Sequence, residues 1–185
     1  EVNEIAYAAK KLAAKEYQLQ KRMMLQCNVA GKELYALNEI TVQRASYERI
    51  INVKISTKNC VVDQFFADGV IAATPTGSTA YSLSAGGPIL TPDIAAILLT
   101  PICAHTLRSR PIVCPDTEIL NISVKSAADI SISYDGTELL IKEPAAEIII
   151  QKAPFEASFI TLKEKNFYKL LNTKLYEWST AREEN

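Results

Sequence analysis

Hydroxyl side chains are concentrated in one short stretch of this sequence. Six of the eleven residues from position 74 to position 84 are serine or threonine: Thr74, Thr76, Ser78, Thr79, Ser82 and Ser84. Gly77 supplies the backbone freedom of a tight turn, and hydroxyls beside free amides at a helix start suit a polar, anionic ligand. Either Ser78 or Thr79 is expected to cap that helix. Tyr81 adds an aromatic ring for a base or a ribose.

The same stretch also fits an ordinary turn between a strand and a helix. The apolar run from Val70 to Ala73 predicts a buried strand, which ends at Thr74-Pro75. Turns rich in serine and threonine are common at such junctions. The residues alone therefore leave a nucleotide pocket and a plain turn about equally open.

A longer motif around this turn resembles the signature of the NAD kinase family, the enzymes that phosphorylate NAD to NADP. Residues 74–88 read TPTGSTAYSLSAGGP, and Asp68-Gly69 precedes them. Two more segments fit the family in order and spacing: Ala36-Leu37-Asn38-Glu39-Ile40, and residues 100–107 (TPICAHTL) followed by Arg110-Pro111-Ile112-Val113. The resemblance covers the carboxy-terminal half of that family, from about residue 17 to about residue 178.

The resemblance implies a set of NAD-binding residues. Asn38 and Glu39 are implied to bind NAD, and an amide beside a carboxylate matches ribose hydroxyls that both donate and accept hydrogen bonds. Asp68 lies thirteen residues before Tyr81, the family's spacing for a carboxylate at the nicotinamide end. Arg49 stands where the family often has a basic or histidine side chain near the nucleotide. The remaining implied contacts are Thr79, Ala80, Tyr81, Ser82, Leu83 and Ser84.

Several of these residues also have plain structural interpretations. Asn38-Glu39 could start or bend a strand, and Asp68 could form a turn. Arg49 could be a solvated surface charge, and Leu83 could belong to the core. From the residues alone these interpretations stay open.

The sequence departs from the family pattern at three positions. Phe66 stands where many relatives have arginine, so one cationic contact is lost. Thr137 replaces a common glutamine after Asp135-Gly136, and Ala104 replaces a frequent proline before His105. His105 is the only histidine and lacks a serine or cysteine partner at a known spacing, so we interpret it as structural.

The pattern of apolar residues predicts a mainly β chain with a helix at each end. Ile5, Ala8, Ala9 and Leu12 share one face of an opening helix, and Phe167, Leu170, Leu171, Leu175 and Trp178 share one face of a closing helix. Turns are predicted at Ala30-Gly31-Lys32 and Asp135-Gly136, whereas Pro144 and Pro154 indicate loops. Strands are predicted at 17–29, 34–43, 50–56, 60–66, 118–124, 130–134, 139–142, 148–151 and 158–162.

The spacing of these strands suggests an antiparallel sandwich. By resemblance, the fold is the antiparallel, β-sandwich-like C-terminal NAD kinase domain with short flanking helices. Residues 1–16 would be a connector, 17–162 the NAD-binding domain, and 163–185 a helix that packs on the family's N-terminal α/β domain. That α/β domain carries a Gly-Gly-Asp-Gly motif whose Asp is taken as the catalytic base. The motif does not occur here, so we expect a fragment with no catalytic residue of its own, inactive alone.

Composition points to a small-molecule partner. Twenty basic and twenty-one acidic residues give a net charge of −1 with no basic tail, so neither nucleic acid nor an anionic membrane is an expected partner. The four cysteines, Cys27, Cys60, Cys103 and Cys114, lie too far apart for a usual zinc set, and no metal site is expected. The apolar run from Ile94 to Leu99 is far shorter than the about 20 residues of a membrane helix. We expect a cytoplasmic protein.

The expected activity follows from the resemblance. The parent protein would be an NAD kinase that uses ATP or polyphosphate with Mg²⁺ or another divalent cation, and it would form a homo-oligomer, a dimer or a tetramer. Two alternatives stay open. The chain could be a non-catalytic dinucleotide-binding or assembly module, or a relative of the lipid kinases that share this architecture.

Overall fold

Strands make up most of the fold, as the sequence predicts. The computed structural model describes residues 2–46, 49–106, 108–126, 129–142, 147–163 and 166–174. Its strands are β1 (Gln18–Val29), β2 (Lys32–Ala36), β3 (Glu39–Arg44), β4 (Ile51–Ser56), β5 (Val61–Ala67), β6 (Gly69–Ala73), β7 (Ala96–Ile102), β8 (Ile112–Pro115), β9 (Leu120–Lys125), β10 (Ile130–Tyr134), β11 (Thr137–Ile141) and β12 (Ile148–Thr161).

Helices are few and short. The predicted opening helix is confirmed as α1 (Val2–Ala13), and a 3-10 turn (Gly77–Thr79) leads into the one-turn helix α2 (Tyr81–Ser84). Residues 167–174 are helical, whereas Leu175 and Trp178 of the predicted closing helix lie outside the described residues. Among the helices that are described, none is long and apolar enough to cross a membrane.

The chain divides into two compact units. The larger unit comprises residues 22–157, and the smaller comprises residues 1–21 and 158–185. Within the smaller unit, the Lys163 ammonium lies 5.1 Å from the centre of the Tyr7 ring, a distance at which a cation is attracted to the ring face. An ion pair joins Lys11 and Glu16 in the same unit.

Two six-stranded sheets form the fold. The first has the strand order β2-β1-β12-β9-β4-β5, and the second has the order β11-β10-β3-β6-β7-β8. Where the register is defined, neighbouring strands run antiparallel, as in the pairs β3–β6, β3–β10 and β4–β9. The predicted antiparallel β-sandwich is therefore confirmed.

The main core lies between the two sheets of the larger unit. Alternate residues of each strand face it, as the pleat of a strand requires: Ile51, Val53 and Ile55 are buried on β4, while Asn52 and Lys54 point away. A single apolar cluster joins both sheets. It includes Leu25, Ile51, Val53, Ile55, Leu120 and Ile122 from the first sheet and Ile40, Val42, Val70, Ala72, Ile130 and Ile132 from the second.

The outer face of the second sheet has an apolar half and a polar half. Ile71, Ala73, Leu98 and Ile102 form a second apolar cluster on β6 and β7, with Leu90 in the cluster and Ala85 packed against it. On β3 and β10 the residues that alternate with the core are instead polar: Glu39, Thr41, Gln43, Ser131 and Ser133. This polar half is the surface on which the site described below is built.

Three strand predictions were wrong. The predicted strand 34–43 is two strands, β2 and β3, because the chain leaves one sheet at Leu37-Asn38 and enters the other. The predicted strands 148–151 and 158–162 are one strand, β12, and Pro154 lies inside it and not in a loop. Pro154 is exposed and lies beyond the residues of β12 whose register with β9 is defined, so its missing N–H costs no bond of that pairing. Strands β7 and β8 were not predicted, since the run before Pro101 is apolar without alternation. Pro144 lies outside the described residues.

Candidate functional site

The turn between β10 and β11 reaches the Asn38-Glu39 pair. One carboxylate oxygen of Asp135 accepts the N–H groups of Asn38 at 2.8 Å and Glu39 at 3.2 Å, and the other accepts that of Leu37 at 2.6 Å. Asp135 N–H donates in return to the Glu39 carbonyl at 3.2 Å. Residues 37–39 therefore both donate hydrogen bonds to the β10–β11 turn and accept one from it.

The Thr74–Ser78 turn abuts the same segment from the other side. Thr74 Oγ1 donates to the Leu37 carbonyl at 2.6 Å, and Thr74 N–H donates to the Asn38 carbonyl at 2.8 Å. A Cβ on Gly77 would lie 2.0 Å from the Asn38 oxygen. Glycine is therefore required at position 77 because two backbone segments approach each other closely. The prediction that Gly77 is needed for a special turn conformation was wrong, because its φ is not positive.

Most hydroxyls of the motif are used inside the protein. Ser78 Oγ donates to the Pro75 carbonyl at 2.7 Å and accepts Leu90 N–H at 2.9 Å. Ser82 and Thr100 share a buried hydrogen bond of 2.8 Å. The predicted cap was wrong: the residue before α2 is Ala80, which makes no side-chain cap, because Thr79 donates to the Thr76 carbonyl and Ser78 bonds elsewhere.

Glu39 connects the two motifs. The backbone N–H of Tyr81 donates to its carboxylate, which joins the start of β3 to the start of α2. Burial raises the pKa of Glu39, the nearby Asp135 carboxylate raises it further, and the Tyr81 hydrogen bond opposes both. Oε2 of Glu39 and Oγ1 of Thr41, two residues along the same face of β3, are buried without a hydrogen-bond partner in the described part of the chain.

A cleft opens beside Tyr81 on the polar half of the second sheet. Its volume is about 260 Å³, and it is lined by Gln43, Arg44, Ala45, Ser46, Asp68, Tyr81, Ile102, Ser131 and Glu138. Arg44 Nε lies 2.9 Å from Asp68 Oδ1 in an ion pair with side chains 19% and 27% exposed. Ser131 Oγ donates to Glu138 at 2.6 Å. Positive and negative groups thus lie side by side along one wall.

The structure brings together some of the predicted site residues and separates others. Asp68 and Tyr81 line the cleft, and Glu39 is bonded to Tyr81. Asn38 joins them through its backbone bonds to Thr74 and Asp135. Arg49 is exposed and is not part of the cleft lining.

Within the predicted run from Thr79 to Ser84, the residues divide by exposure. Ser82 is buried and bonded to Thr100, while Thr79, Ala80 and Leu83 are half-buried. Ser84 is exposed, and the Tyr81 side chain is 41% exposed. Tyr81 and Ser84 are therefore the members of this run that present the most side chain to a ligand.

Sequence reasoning missed Arg44, Ser131 and Glu138. Arg44 pairs with Asp68 because β3 and β6 are neighbours, a contact that joins residues far apart in the chain. The Asp135-Gly136 turn signal, with strands on both sides, could have placed Ser131 and Glu138 on one hairpin, although not beside β3. No group of three or more potential metal ligands occurs among the residues that the structure describes.

The fold and this cleft define a β-sandwich domain with a polar cleft on the outer face of one sheet. The family model of the ATP-NAD kinase C-terminal domain matches residues 37–162, a range that includes Asn38-Glu39, the motif at residues 74–88 and every residue lining the cleft. This chain belongs to that family.

Relatives and solved structures agree with this membership. The chain is 44% identical over 180 residues to the NAD kinase of Carboxydothermus hydrogenoformans and 38% identical to that of Clostridium botulinum, covering 94% and 95% of this chain. It spans 64% of the length of each of these relatives. Yeast NADH kinase complexed with NADH has a TM-score of 0.86 at 29% identity, covering 92% of this chain and 52% of that one. An Archaeoglobus fulgidus NAD kinase in complex with ATP has a TM-score of 0.77 at 28% identity, covering 90% and 64%.

Proposed function

We propose that this chain is the NAD-binding half of an NAD kinase. The full enzyme transfers a phosphoryl group from ATP, or from polyphosphate, to the 2′-hydroxyl of the adenosine ribose of NAD and forms NADP. The observation that carries the proposal is the meeting of two motifs: Glu39 and Tyr81 are hydrogen-bonded beside the cleft that holds Asp68. Relatives named NAD kinase and neighbours solved with NADH and ATP support it.

The chemistry of the cleft fits part of a dinucleotide. The Glu39 carboxylate and the Asn38 amide can accept from and donate to ribose hydroxyls, and the exposed Tyr81 ring can stack on a base. Asp68, oriented by Arg44, offers a carboxylate to an amide such as that of nicotinamide. A cleft of about 260 Å³ is smaller than the roughly 300–1,000 Å³ that bury a drug-sized ligand, so it would take one end of NAD.

In this proposal the chain positions the acceptor. Phosphoryl transfer depends mostly on alignment and charge stabilisation, and this cleft would fix the ribose of NAD. The resemblance assigns the catalytic base to a Gly-Gly-Asp-Gly motif that is not in these 185 residues. A divalent cation would accompany the donor phosphates, since the described residues offer no cluster of ligands for it.

A non-catalytic dinucleotide-binding module is the second candidate. The observation that favours it is the cleft itself, because binding needs only the residues around the cleft. A lipid kinase is less well supported, because a lipid substrate needs an apolar cleft and this one is lined with Arg44, Asp68 and Glu138.

We also propose that the parent enzyme is a cytoplasmic homo-oligomer, a dimer or a tetramer. Strands β2 and β5 lie at the edges of the first sheet, and β8 and β11 lie at the edges of the second. Edge strands have backbone groups that can pair with a second chain. Residues 17–162 would supply the NAD site.

Calorimetric titration of the purified chain with NAD tests the proposal. We expect saturable binding by the natural sequence and binding at least about tenfold weaker in Asp68→Asn, which removes a charge from the cleft. Asp116→Asn is the matched control, because Asp116 forms an ion pair with Lys152 at 2.6 Å outside the cleft. In the full-length enzyme, the same variants are compared for NADP formation.

Each outcome of this titration is decisive. If the natural chain does not bind NAD, the proposed site is wrong. If Asp116→Asn weakens binding as much as Asp68→Asn does, the effect is general destabilisation and the cleft is not the binding site. Binding of NAD by this chain without NADP formation in the full-length enzyme would favour the non-catalytic module.

A further inference from the structure

We propose that Asp135 is a positioning residue for the ligand: its carboxylate holds the backbone of Leu37, Asn38 and Glu39 in the conformation that presents the Asn38-Glu39 pair to NAD. The inference rests on the proposed NAD site. Asp135 would not touch the ligand itself and would act through the backbone of the pair. Its role would thus go beyond that of a turn former between β10 and β11.

The chain crosses from one sheet to the other where Asp135 binds it. Leu37 and Asn38 lie between β2 and β3, which belong to different sheets, so their N–H groups are outside both strands. N–H groups without a strand partner bond to a side chain or to water, and here they bond to a side chain. The two Asp135 oxygens accept three consecutive N–H groups at 2.6, 2.8 and 3.2 Å. Hydrogen bonds to a charged acceptor are about twice as strong as neutral ones.

Two hairpins of this chain have the same kind of turn. The β10–β11 turn is Asp135-Gly136, with φ of +44° and +83°, and the β1–β2 turn is Ala30-Gly31, with φ of +47° and +72°. Both are two-residue turns with left-handed φ at each position, the geometry that suits the twist of a hairpin. Alanine therefore suffices to make this turn in the same molecule. The hairpin therefore does not need the Asp135 carboxylate, and the contribution of this carboxylate is to accept the N–H groups of residues 37–39.

Asp135 also has an electrostatic cost. The negative Asp135 lies close enough to Glu39 to disfavour the ionised Glu39 carboxylate. A neutral turn residue would avoid that repulsion. An aspartate at this position is consistent with a requirement for a charged acceptor at the three N–H groups.

The chain offers a matched set of variants for the test. Asp135→Ala removes the carboxylate and leaves the Ala-Gly turn that the β1–β2 hairpin already uses. Gly136→Ala keeps the carboxylate and strains the turn, and Gly31→Ala applies the same strain to the other hairpin. At both glycines an added Cβ meets no atom within 4 Å, so the two substitutions differ in position and not in packing.

Two measurements are made on each variant. Amide hydrogen exchange of residues 37–39, measured without ligand, reports how well Asp135 protects these three N–H groups. Calorimetry reports the Kd for NAD. We expect Asp135→Ala and Gly136→Ala to speed exchange at residues 37–39 and to raise the Kd about ten- to hundredfold, the usual effect of a small misplacement of binding groups. Gly31→Ala should change neither. In the full-length enzyme the KM for NAD should rise, with kcat at saturating NAD within about twofold.

The outcomes separate this inference from the proposed function. If the natural chain does not bind NAD, the proposed function fails, whatever the exchange data show. If the natural chain binds and Asp135→Ala binds equally well, Asp135 is a turn residue and the inference is wrong. Equal losses of affinity in Gly136→Ala and Gly31→Ala would also overturn it, because the effect would then be strain common to any hairpin.

Discussion

At the scale of single residues, Glu39 holds a carboxylate in a half-buried place beside another carboxylate. Burial is the larger cause of its raised pKa, and Asp135 is the smaller. Its Oε2 atom is buried without a partner among the described groups, and an unsatisfied buried acceptor costs stability. In the proposed site, a ribose hydroxyl that donates to this oxygen would remove that cost.

The raised pKa of Glu39 predicts a pH dependence of stability. An acid whose pKa is raised on folding destabilises the folded state once it ionises, so the penalty grows as pH rises from the ordinary value of about 4.3 through the raised value. Glu39→Gln should therefore raise Tm at pH 7.5 and have little effect at pH 4, while it weakens NAD binding. Thermal unfolding at the two pH values measures this. An equal rise in Tm at pH 7.5 and pH 4 would show that ionisation of Glu39 is not the cause.

The exposed ring of Tyr81 leads to a second prediction. Tyr81→Ala should raise the KM for NAD by roughly 5- to 150-fold, the loss expected for about 1–3 kcal/mol of base stacking. The free energy of unfolding should change by less than about 0.5 kcal/mol, because the side chain is 41% exposed. Tyr81→Phe keeps the ring and should bind nearly as the natural protein does.

The control for Tyr81 is Tyr168→Ala, which removes an exposed ring from the helical residues 167–174, outside the cleft lining. It should leave the KM for NAD unchanged. If Tyr81→Ala unfolds the protein, the ring is a structural element and its assignment to the ligand is wrong.

At the scale of elements, most hydroxyls of the turn hydrogen-bond to neighbouring segments and hold the turn in place. Ser78 ties the turn to Leu90, and Ser82 ties α2 to Thr100 on β7. A Cβ on Gly87 would lie 2.3 Å from Ser82 Oγ, so the chain after α2 also passes close to this buried bond. The turn holds Tyr81 at the cleft because these bonds leave the start of α2 little freedom.

Two similar serine substitutions should therefore differ in their effect on stability. Ser78→Ala should lower the free energy of unfolding by about 1–3 kcal/mol, because it leaves the buried Leu90 N–H without its acceptor. Ser84→Ala, at an exposed position of the same motif, should change it by less than about 0.5 kcal/mol. Urea denaturation of both variants makes the comparison. Similar losses of unfolding free energy in Ser78→Ala and Ser84→Ala would mean that the Ser78 hydroxyl does not stabilise the fold through Leu90.

Much of this site could be predicted from the sequence, and the exceptions share a cause. The motif pattern identified Asp68 and Tyr81, which line one cleft, and Glu39, whose carboxylate accepts the Tyr81 N–H. Arg44 was missed because its partner, Asp68, comes from a strand paired only in the folded sheet. Asp135 was assigned only to its turn, because local sequence shows the turn geometry and not the distant amides that the side chain reaches.

At the scale of the molecule, the sequence predicted the class of fold but not the order of the strands. The reason is that alternation is local, whereas pairing joins strands that are distant in the chain. Alternation along β4 and β9 is local and predicts half-buried strands. The order within each sheet depends on long crossings, such as β3 lying between β6 and β10. The division of residues 34–43 between two sheets is one such crossing, and nothing in the alternation of those residues marks it.

The proposed homo-oligomer gives a prediction for the whole chain. Size-exclusion chromatography with light scattering should give a mass that is a multiple of the 20.4 kDa of one chain, because edge strands of the two sheets offer backbone groups to a second copy. The measurement is repeated over a tenfold range of concentration. A species of 20.4 kDa alone at every concentration would contradict the proposal.

Along β3, residues of the cleft face alternate with residues of the core, from Glu39 through Ile40 and Thr41 to Val42. Because side chains in a strand alternate between faces, deleting or inserting one residue here would turn Ile40 outward and bring polar groups into the interior. Changes of chain length are therefore expected in turns such as Ala30-Gly31 and not within β3. An alignment gap inside β3 would mark a homologue that has lost this cleft, even where its serines and threonines are all retained.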